Sequence, residues 1–249
     1  SDLGTSHSRQ SRQMGCQLML KLAVLVSGRG SNMLRLAAAI DEMHLEARIT
    51  AVIANVDCDG ITHAKARGID RYVIRRRDHD SRAAHEAALA ACIDRSGADI
   101  VCLAGYMAIL GADFVNRYQG RIINIHPSLL PAYKGLDTHQ RAIDDGATTH
   151  GATVHLVTPE LDAGPIIAQA GLDIEPADDA TSLAGRVLQL EHQLYPFVVV
   201  SLANGQLTLQ DNTPRWADPN SAMAAMPDHI RRVLEPSLIL QAADAGASE

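Results

Sequence analysis

The sequence predicts a fold of the α/β class: a doubly wound, mostly parallel twisted sheet with helices on both faces. Over roughly the first hundred residues, short runs of branched apolar residues alternate with helical segments, which is typical of βαβ units. The chain has 249 residues, of which 47% are hydrophobic. This is enough apolar material for a sizeable core in one domain or at most two.

The first half supplies most of the predicted elements. Continuously apolar runs predict buried strands at 22–26, 49–54, 72–74 and 98–103, as expected for a sheet covered on both faces. Helices are predicted between these strands: one from the glycine-rich turn to near residue 43, and others at 60–67 and 81–93. Ligands bind at the open end of such a sheet.

The pattern changes after Ile125. Pro127, Pro131 and Gly135 predict a stiff, turn-rich loop, which precedes a short helix at 138–144. Strands are predicted at 152–157 and 165–170. A long last helix follows, with capping residues at 178–181 and an apolar stripe at helical spacing formed by Leu183, Val187, Leu190 and Leu194.

Three segments are predicted along the chain. Residues 1–20 are polar and read as a tag or a disordered extension, and residues 21–212 form a single domain. Residues 213–249 form a C-terminal extension that is packed on this domain or loosely attached to it. The tail after residue 204, with several prolines, predicts a short strand followed by a loosely attached helix.

Charge and cysteine content argue against several classes of protein. The net charge of -7 disfavours binding to nucleic acid or to an anionic membrane, because both need a basic surface. No apolar run reaches the ~20 residues that span a bilayer. The four cysteines contain no CxxC pair, which indicates neither a disulfide framework nor a thiolate zinc site. We therefore expect a soluble, cytoplasmic protein.

A glycine-rich turn follows the first predicted strand. The segment from Ser27 to Asn32 opens a helix, and its free N–H groups with the helix dipole favour a phosphate. A simple tight turn is the alternative. A dinucleotide site is disfavoured because Met33 occupies the third glycine position, and a P-loop is excluded because no Gly-Lys-Ser/Thr follows.

Asn124 and His126 are the strongest candidates for chemistry. They flank Ile125 at the end of a predicted strand, so the period of two places both side chains on one face. The turn-forming segment 160–165 can return the carboxylate of Asp162 over this pair. An amide donor and an imidazole beside a carboxylate suit acyl transfer, because they can stabilise an oxyanion and supply a proton.

Other polar residues have simpler interpretations. A single histidine near a strand end is more often a structural hydrogen-bonding group than a catalyst. His150 and His155 flank a strand without a third ligand at metal spacing, so zinc is disfavoured. Glu191 lies at the edge of the apolar stripe of the last helix, where a solvated charge is the default interpretation.

Three strings carry a resemblance to a known family. Residues 24–32 (VLVSGRGSN), 124–131 (NIHPSLLP) and 161–167 (LDAGPII) resemble the folate-dependent formyltransferases, and in particular their glycinamide ribonucleotide formyltransferase branch. The likeness extends from about residue 22 to about residue 212. It implies a Rossmann-like fold and formyl transfer from 10-formyltetrahydrofolate to the amine of 5'-phosphoribosylglycinamide in de novo purine biosynthesis.

The resemblance also implies residue roles. Asn124, His126 and Asp162 would be the catalytic set, and Glu191 would bind the ribose of the acceptor. Its phosphate would be bound by Gly30, Ser31 and Asn32. The folate site would be lined by Arg82, Met107, Ala108, Ile109, Leu110, Asn124, Thr158, Pro159, Glu160, Leu161 and Asp162. The expected partners are small molecules, a homodimer is possible, and no metal is implied.

This chain departs from the family in places, and rival functions remain. Ala108 stands where relatives often have a basic residue, and Lys134 and Asp137 also differ from the usual residues. A formyltetrahydrofolate hydrolase normally carries an extra N-terminal regulatory domain, whereas only about twenty residues precede the first strand here. A methionyl-tRNA formyltransferase would add a C-terminal domain, and a non-catalytic nucleotide-binding module would leave Asn124, His126 and Asp162 without a purpose.

Overall fold

The computed structural model of the chain describes residues 19–240. Residues 1–18 of the predicted N-terminal extension and residues 241–249 of the tail therefore lie outside the described residues. The described strands are β1 (Leu20–Val26), β2 (Ala47–Ala54), β3 (Arg71–Val73), β4 (Ile100–Leu103), β5 (Ile122–His126), β6 (Thr149–Leu156), β7 (Ile166–Asp173), β8 (Leu207–Gln210), β9 (Thr213–Trp216) and β10 (Leu238–Ile239).

The described helices alternate with these strands. They are α1 (Ser31–Glu42), α2 (Asp59–Ala66), α3 (Arg82–Ser96), α4 (Ala112–Arg117), α5 (Thr138–Asp144), α6 (Ala180–Ala203), α7 (Pro219–Ala224) and α8 (Asp228–Leu234). None of the helices in residues 19–240 combines the length and apolarity needed to cross a membrane.

Eight strands form one sheet in the order β10-β7-β6-β5-β4-β1-β2-β3. The five strands from β5 to β3 pair in parallel, whereas β6, β7 and β10 add antiparallel pairs. The predicted doubly wound, mostly parallel sheet is confirmed. For the β6–β7 pair the antiparallel direction follows from a connection that contains no crossover helix, which a parallel pair would require.

Helices cover both faces of the sheet. Along β1, Val24 and Val26 belong to the apolar cluster under α1 and α6, while Ala23 and Leu25 belong to a second cluster under α3 and α4. This alternation explains why the strand is apolar at every position. On α6 the predicted stripe of Leu183, Val187, Leu190 and Leu194 is buried, and Asp179 with Ser182 forms a capping box at its start.

Several short elements differ from the prediction. Helix α4 is not predicted by the sequence, and the tail contains the β8–β9 hairpin, α7, α8 and β10 rather than one strand and one helix. Ile230 and Leu234 of α8 are buried in the same cluster as α6, and β10 pairs with β7. Elements this short carry too few periodic positions to be recognised in isolation.

Candidate active site

Strand β5 brings Asn124 and His126 to the carboxyl end of the parallel strands. The antiparallel pairing with β6 sets Asn124 opposite His155 and His126 opposite Thr153. His126 is buried, with 5% of its surface exposed, whereas Asn124 is partly exposed. A substrate can therefore approach the amide of Asn124 from solvent, while the imidazole lies behind it.

The loop between β6 and β7 returns Asp162 to this strand. Its Oδ2 atom lies 3.5 Å from Nδ1 of His126 and accepts a hydrogen bond from the N–H of Gly135 at 2.9 Å. Its Oδ1 atom lies 3.8 Å from Nε2 of His155. The structure thus brings Asn124, His126 and Asp162 together, a closure that sequence spacing leaves open.

The imidazole of His126 stands between two acceptors. Its Nε2–H donates to the carbonyl oxygen of Tyr133 at 3.0 Å, because a carbonyl oxygen can only accept. Its Nδ1 atom faces Asp162. Each ring nitrogen of His126 thus faces an oxygen atom that can accept a hydrogen bond.

His155 fixes the amide of Asn124. Its Nδ1–H donates to the carbonyl oxygen of Leu156 at 2.9 Å, so Nε2 carries the lone pair and accepts from Nδ2 of Asn124 at 3.1 Å. Burial lowers the pKa of His155, which favours this neutral form. The second N–H of Asn124 therefore remains available to an oxyanion.

From the sequence, His155 is interpreted only as a candidate metal ligand, and its hydrogen bond with Asn124 is not predicted. The signal that identifies it is the β5–β6 register, in which His155 faces Asn124. His150 instead lies 3.2 Å from His139, measured from Nε2 to Nδ1, and burial lowers the pKa of His150 to about 4. Within residues 19–240 no three His, Cys, Asp or Glu side chains are grouped to hold a metal.

Buried polar groups hold the loop that follows β5. Thr153 donates through Oγ1 to the carbonyl oxygen of Ser128 at 2.7 Å and accepts from the N–H of Leu130 at 3.1 Å. The amide of Gln169 donates to the carbonyl oxygen of Leu130 at 2.9 Å. These bonds tie the loop to β6 and β7, and so fix the position of His126 beside it.

The glycine turn presents free backbone N–H groups at the start of α1, a geometry that suits an anion, and residues 30–33 are termed the anion cradle. Gly30 has a left-handed backbone, with φ 71°, and the N–H groups of Ser31, Asn32 and Met33 have no hydrogen-bond partner in the described part of the chain. A Cβ atom on Gly30 would lie 2.7 Å from the Cα atom of Gly60. Glycine is therefore required here both by conformation and by contact.

Glu191 is buried, so the interpretation of its carboxyl as a solvated charge is wrong. Only 9% of its surface is exposed, and its Oε2 atom accepts a hydrogen bond from Nδ2 of Asn32 at 2.7 Å. Burial raises the pKa of Glu191 to about 7, although the bond from Asn32 opposes this shift. Long-range packing of α6 on α1, which periodicity does not reveal, places this carboxyl beside the cradle.

The loop 107–110 and Arg82 lie together near the carboxyl end of β4. Arg82 donates through Nη2 to the carbonyl oxygen of Ile109 at 2.8 Å and through Nε to Glu86 at 2.8 Å. The Met107 and Ile109 side chains are 72% and 74% exposed. The sequence predicts no role for Ser27 at this loop. Its Oγ atom accepts a hydrogen bond from the N–H of Met107 at 2.8 Å and so joins the loop to the glycine turn.

The segment 158–162 follows β6 and carries Asp162 to the end of β5. Leu161 is 54% exposed, and Thr158 donates through Oγ1 to the carbonyl oxygen of Glu160 at 3.2 Å. Lys134 lies 3.9 Å from Glu160, measured from Nζ to Oε1. Exposed apolar side chains near polar groups are typical of a small-molecule cleft.

Comparisons with known proteins show which family this chain is similar to. Residues 20–199 match the sequence profile of the family described as Formyl transferase. The chain is 40% identical over 200 residues to "Phosphoribosylglycinamide formyltransferase" of Escherichia coli (strain K12), covering 80% of this chain and 94% of that protein. It is 38% identical over 193 residues to "Trifunctional purine biosynthetic protein adenosine-3" of Bos taurus, covering 77% of this chain and 19% of that protein.

A solved structure with a similar fold comes from Coxiella burnetii. It is a phosphoribosylglycinamide formyltransferase in complex with CHES, with a TM-score of 0.75 and 43% sequence identity. The alignment covers 79% of this chain and 93% of that chain. The family match to residues 20–199 includes both the glycine turn and the end of β5.

Proposed function

The chain belongs to the formyl transferase family, and from this premise we propose that it transfers a formyl group from 10-formyltetrahydrofolate to the amine of 5'-phosphoribosylglycinamide. The products are the N-formyl ribonucleotide and tetrahydrofolate. The chain is a formyltransferase of purine biosynthesis, as its relatives' names indicate. The identity of the acceptor, the form of the folate and the residue roles are our proposal.

One observation carries the proposal. The amide of Asn124, the imidazole of His126 and the carboxylate of Asp162 meet at one end of the sheet, and the next strands along that end lead to an anion cradle at α1. The proposed acyl-transfer site and the proposed phosphate site thus lie at the same carboxyl end of the parallel strands. A phosphorylated amine would have its two ends recognised separately.

In the proposed reaction, the amine nitrogen attacks the formyl carbon, and the carbonyl electron pair moves onto oxygen. The free N–H of Asn124 donates to this oxyanion, and an imidazole N–H of His126 stabilises it as a second donor. Since both nitrogens of His126 already face acceptors, the substrate oxygen must replace one of these contacts. Collapse breaks the bond to N10 of the folate, which takes up a proton as the amine loses one.

Asp162 has two parts in this scheme. Its Oδ2 atom, 3.5 Å from Nδ1 of His126, orients the imidazole, and its bond to the N–H of Gly135 holds the loop 132–137 over the site. Arg82, the loop 107–110 and the segment 158–162 form the proposed folate cleft. The exposed apolar side chains of Met107, Ile109 and Leu161 offer surface for the pterin and benzoyl rings.

The direct test is an assay of the purified chain with 10-formyltetrahydrofolate, in which tetrahydrofolate release is followed with and without the ribonucleotide. Turnover that depends on the ribonucleotide supports the proposal. Turnover without the amine would indicate a hydrolase instead, and no turnover under either condition would indicate a binding module.

The same assay tests the site. His126→Ala should abolish turnover and leave ribonucleotide binding, measured by calorimetry, within about twofold, because the imidazole acts on the transferring group rather than on the phosphate. A matched control is His44→Asn, at an exposed position with φ 49° that asparagine tolerates. An unchanged kcat for His126→Ala would refute the assignment.

We also propose that the enzyme acts in the cytosol and that the division into residues 21–212 and a C-terminal extension describes its domain organisation. Fluorescence microscopy of a tagged chain tests the first. Light scattering across a concentration series tests the expected homodimer: one mass at all concentrations, equal to that of a single chain, would exclude it.

A further inference from the structure

The anion cradle at α1 raises a question of charge balance. A phosphate monoester carries between one and two negative charges at neutral pH, and the carboxyl of Glu191 lies against the same helix end. Backbone N–H groups and a helix dipole supply only partial positive charge. In a chain with a net charge of -7, tight binding of the phosphate calls for cationic side chains nearby.

Two arginines near the cradle are free to act in this way. Arg29 lies within the glycine turn, and Arg35 lies one helical turn after Ser31, on the same side of α1. Both are exposed, and within residues 19–240 neither forms an ion pair with a carboxylate. By contrast, arginines elsewhere, such as Arg67 and Arg117, lie within 3.0 Å of an aspartate oxygen.

His192 is the third member of this group. It follows Glu191 on α6, so its backbone lies one residue from the carboxyl that contacts Asn32. Only 8% of its surface is exposed, yet neither ring nitrogen has a hydrogen-bond partner. Buried polar groups without partners are rare and indicate an absent ligand or water.

A small cavity of about 30 Å³ between α1, α6 and α8 is lined by both His192 and Arg35. Burial lowers the pKa of His192 to about 4, and the positive charges of Arg35 and Arg29 lower it further in the same direction. Arg35 and His192 therefore face one cavity, and Arg29 lies in the turn that precedes α1. The cavity also holds Glu42 and His229, which lie 3.7 Å apart and face each other.

We propose that Arg29 and Arg35 form a cationic rim beside the cradle at α1, that neutral His192 adds a hydrogen-bonding group to it, and that this rim binds the phosphate monoester of the acceptor. This inference rests on the proposed function and names the side chains that select a phosphorylated acceptor. An anion bound between the two guanidinium groups would offset their positive charge and give the imidazole of His192 a hydrogen-bond acceptor. Arginine suits this role because its fork of donors matches phosphate oxygens.

The test uses Arg29→Gln, Arg35→Gln and the double variant, with His192→Gln as an additional member. Arg71→Gln is the matched control, because Arg71 is also exposed at a strand edge and lacks an ion pair in the described residues. Calorimetry measures the Kd for the ribonucleotide and, separately, for inorganic phosphate. Steady-state assays give KM for each substrate, and the acceptor without its phosphate serves as a reference.

We expect each single arginine variant to raise Kd and KM for the ribonucleotide about five- to tenfold, and the double variant to raise them more. KM for the folate, kcat, and the KM for the unphosphorylated acceptor should stay within about twofold. The preference for the phosphorylated acceptor should therefore fall. Arg71→Gln should behave like the wild type.

Unchanged Kd for ribonucleotide and for inorganic phosphate in the double variant would overturn the inference. The surface variants keep this test valid even if His192→Gln does not fold. A wild-type chain that shows no formyl transfer would refute the proposed function alone, since phosphate binding by calorimetry still decides the inference. Weaker phosphate binding in the double variant would support it, and equal binding would refute it.

Discussion

At the scale of single residues, a backbone carbonyl determines how the amide of Asn124 is presented. The carbonyl oxygen of Leu156 takes the Nδ1 proton of His155, and this leaves Nε2 to accept from Asn124. An asparagine without that contact could rotate its amide and present the oxygen instead of the N–H. His155 is therefore a positioning residue that acts on the reaction through Asn124.

His155→Leu should lower kcat by about 10- to 100-fold, somewhat less than the loss of an oxyanion donor itself. KM for the ribonucleotide should change little, because the phosphate is bound at α1. Stopped assays at saturating substrates measure kcat. His155→Gln, which can still accept from Asn124, should recover part of the rate, and equal rates for the Leu and Gln variants would contradict the positioning role.

Glu191 makes stability depend on pH in a defined direction. Burial raises its pKa from 4.5 to about 7, so the folded chain holds a proton that the unfolded chain releases. Stability from this group is complete below pH 4.5 and is lost as pH rises through 7. In Glu191→Gln, the decrease in the free energy of unfolding with rising pH should be smaller by on the order of 2 kcal/mol.

Urea unfolding at pH 5 and pH 8 measures the effect. The wild type should lose more free energy of unfolding between these values than Glu191→Gln does, while the glutamine keeps an acceptor for Asn32. Glu175→Gln is a suitable control, because Glu175 has an exposed side chain and should leave the pH dependence almost unchanged. Identical profiles for wild type and Glu191→Gln would exclude a raised pKa.

At the scale of elements, helix α6 carries two adjacent buried groups whose titrations oppose each other. His192 has a pKa lowered from 6.5 to about 4. The stability that this residue contributes to the fold is therefore present above pH 6.5 and is lost as pH falls towards 4. Glu191 acts in the reverse direction over an overlapping range. The two slopes partly cancel in the wild type because the helix buries both groups against α1.

His192→Gln should therefore reveal the full pH dependence that Glu191 gives to the free energy of unfolding. In this variant the free energy of unfolding should fall more steeply from pH 5 to pH 7 than in the wild type, by on the order of 1–2 kcal/mol. Chemical denaturation at half-unit pH steps measures both slopes. If the variant showed a flatter profile than the wild type, the lowered pKa of His192 would be wrong.

The packing of α2 on the glycine turn gives a second prediction at this scale. The N–H of Gly60 donates to the carbonyl oxygen of Gly28 at 3.1 Å, and a Cβ on Gly60 would meet Val26 at 3.0 Å and that oxygen at 3.3 Å. Gly60→Ala should displace the turn, raise KM for the ribonucleotide several-fold and lower stability by about 1–2 kcal/mol.

Gly185→Ala is the matched control for Gly60→Ala. A Cβ at this position within α6 meets no atom within 4 Å, so the alanine should stabilise the chain by roughly 0.5–1 kcal/mol. Thermal unfolding and the KM for both substrates provide the comparison. Equal KM values in the two variants would show that Gly60 has no part in shaping the cradle.

At the scale of the whole molecule, the C-terminal segment packs against the same apolar cluster as the sheet and α6. Trp216 stacks on Phe197, with ring centroids 5.3 Å apart, and donates through Nε1 to the carbonyl oxygen of Ile167 at 3.2 Å. Leu234 is fully buried. The strand β10 also covers the edge of β7, which limits edge-to-edge association.

Leu234→Ala should lower the free energy of unfolding by about 3 kcal/mol, because it removes buried apolar surface and leaves a cavity. The chain should still unfold in one transition if the tail and the sheet form a cooperative unit. Leu136→Ala, at a position that is 74% exposed, should change stability by less than about 0.5 kcal/mol. A separate early transition in Leu234→Ala would show an independently folding tail.

The sequence by itself determined the local features of this protein. Apolar runs and their spacing predicted the strands and helices around the parallel half of the sheet, because both faces of those strands are buried. Alternation placed Asn124 and His126 on one face, and the glycine turn indicated an anion site. Each of these depends on neighbouring residues, whose geometry the backbone fixes.

Only the tertiary structure decided which distant residues meet. The contacts of Asp162 with His126, of His155 with Asn124, and of Glu191 with Asn32 join segments far apart in the chain. Strand register and helix packing set these distances, and a one-residue slip would turn His155 to the other face. Burial is likewise a property of the packed molecule, so the raised pKa of Glu191 and the unpartnered ring of His192 follow from the fold rather than from local sequence.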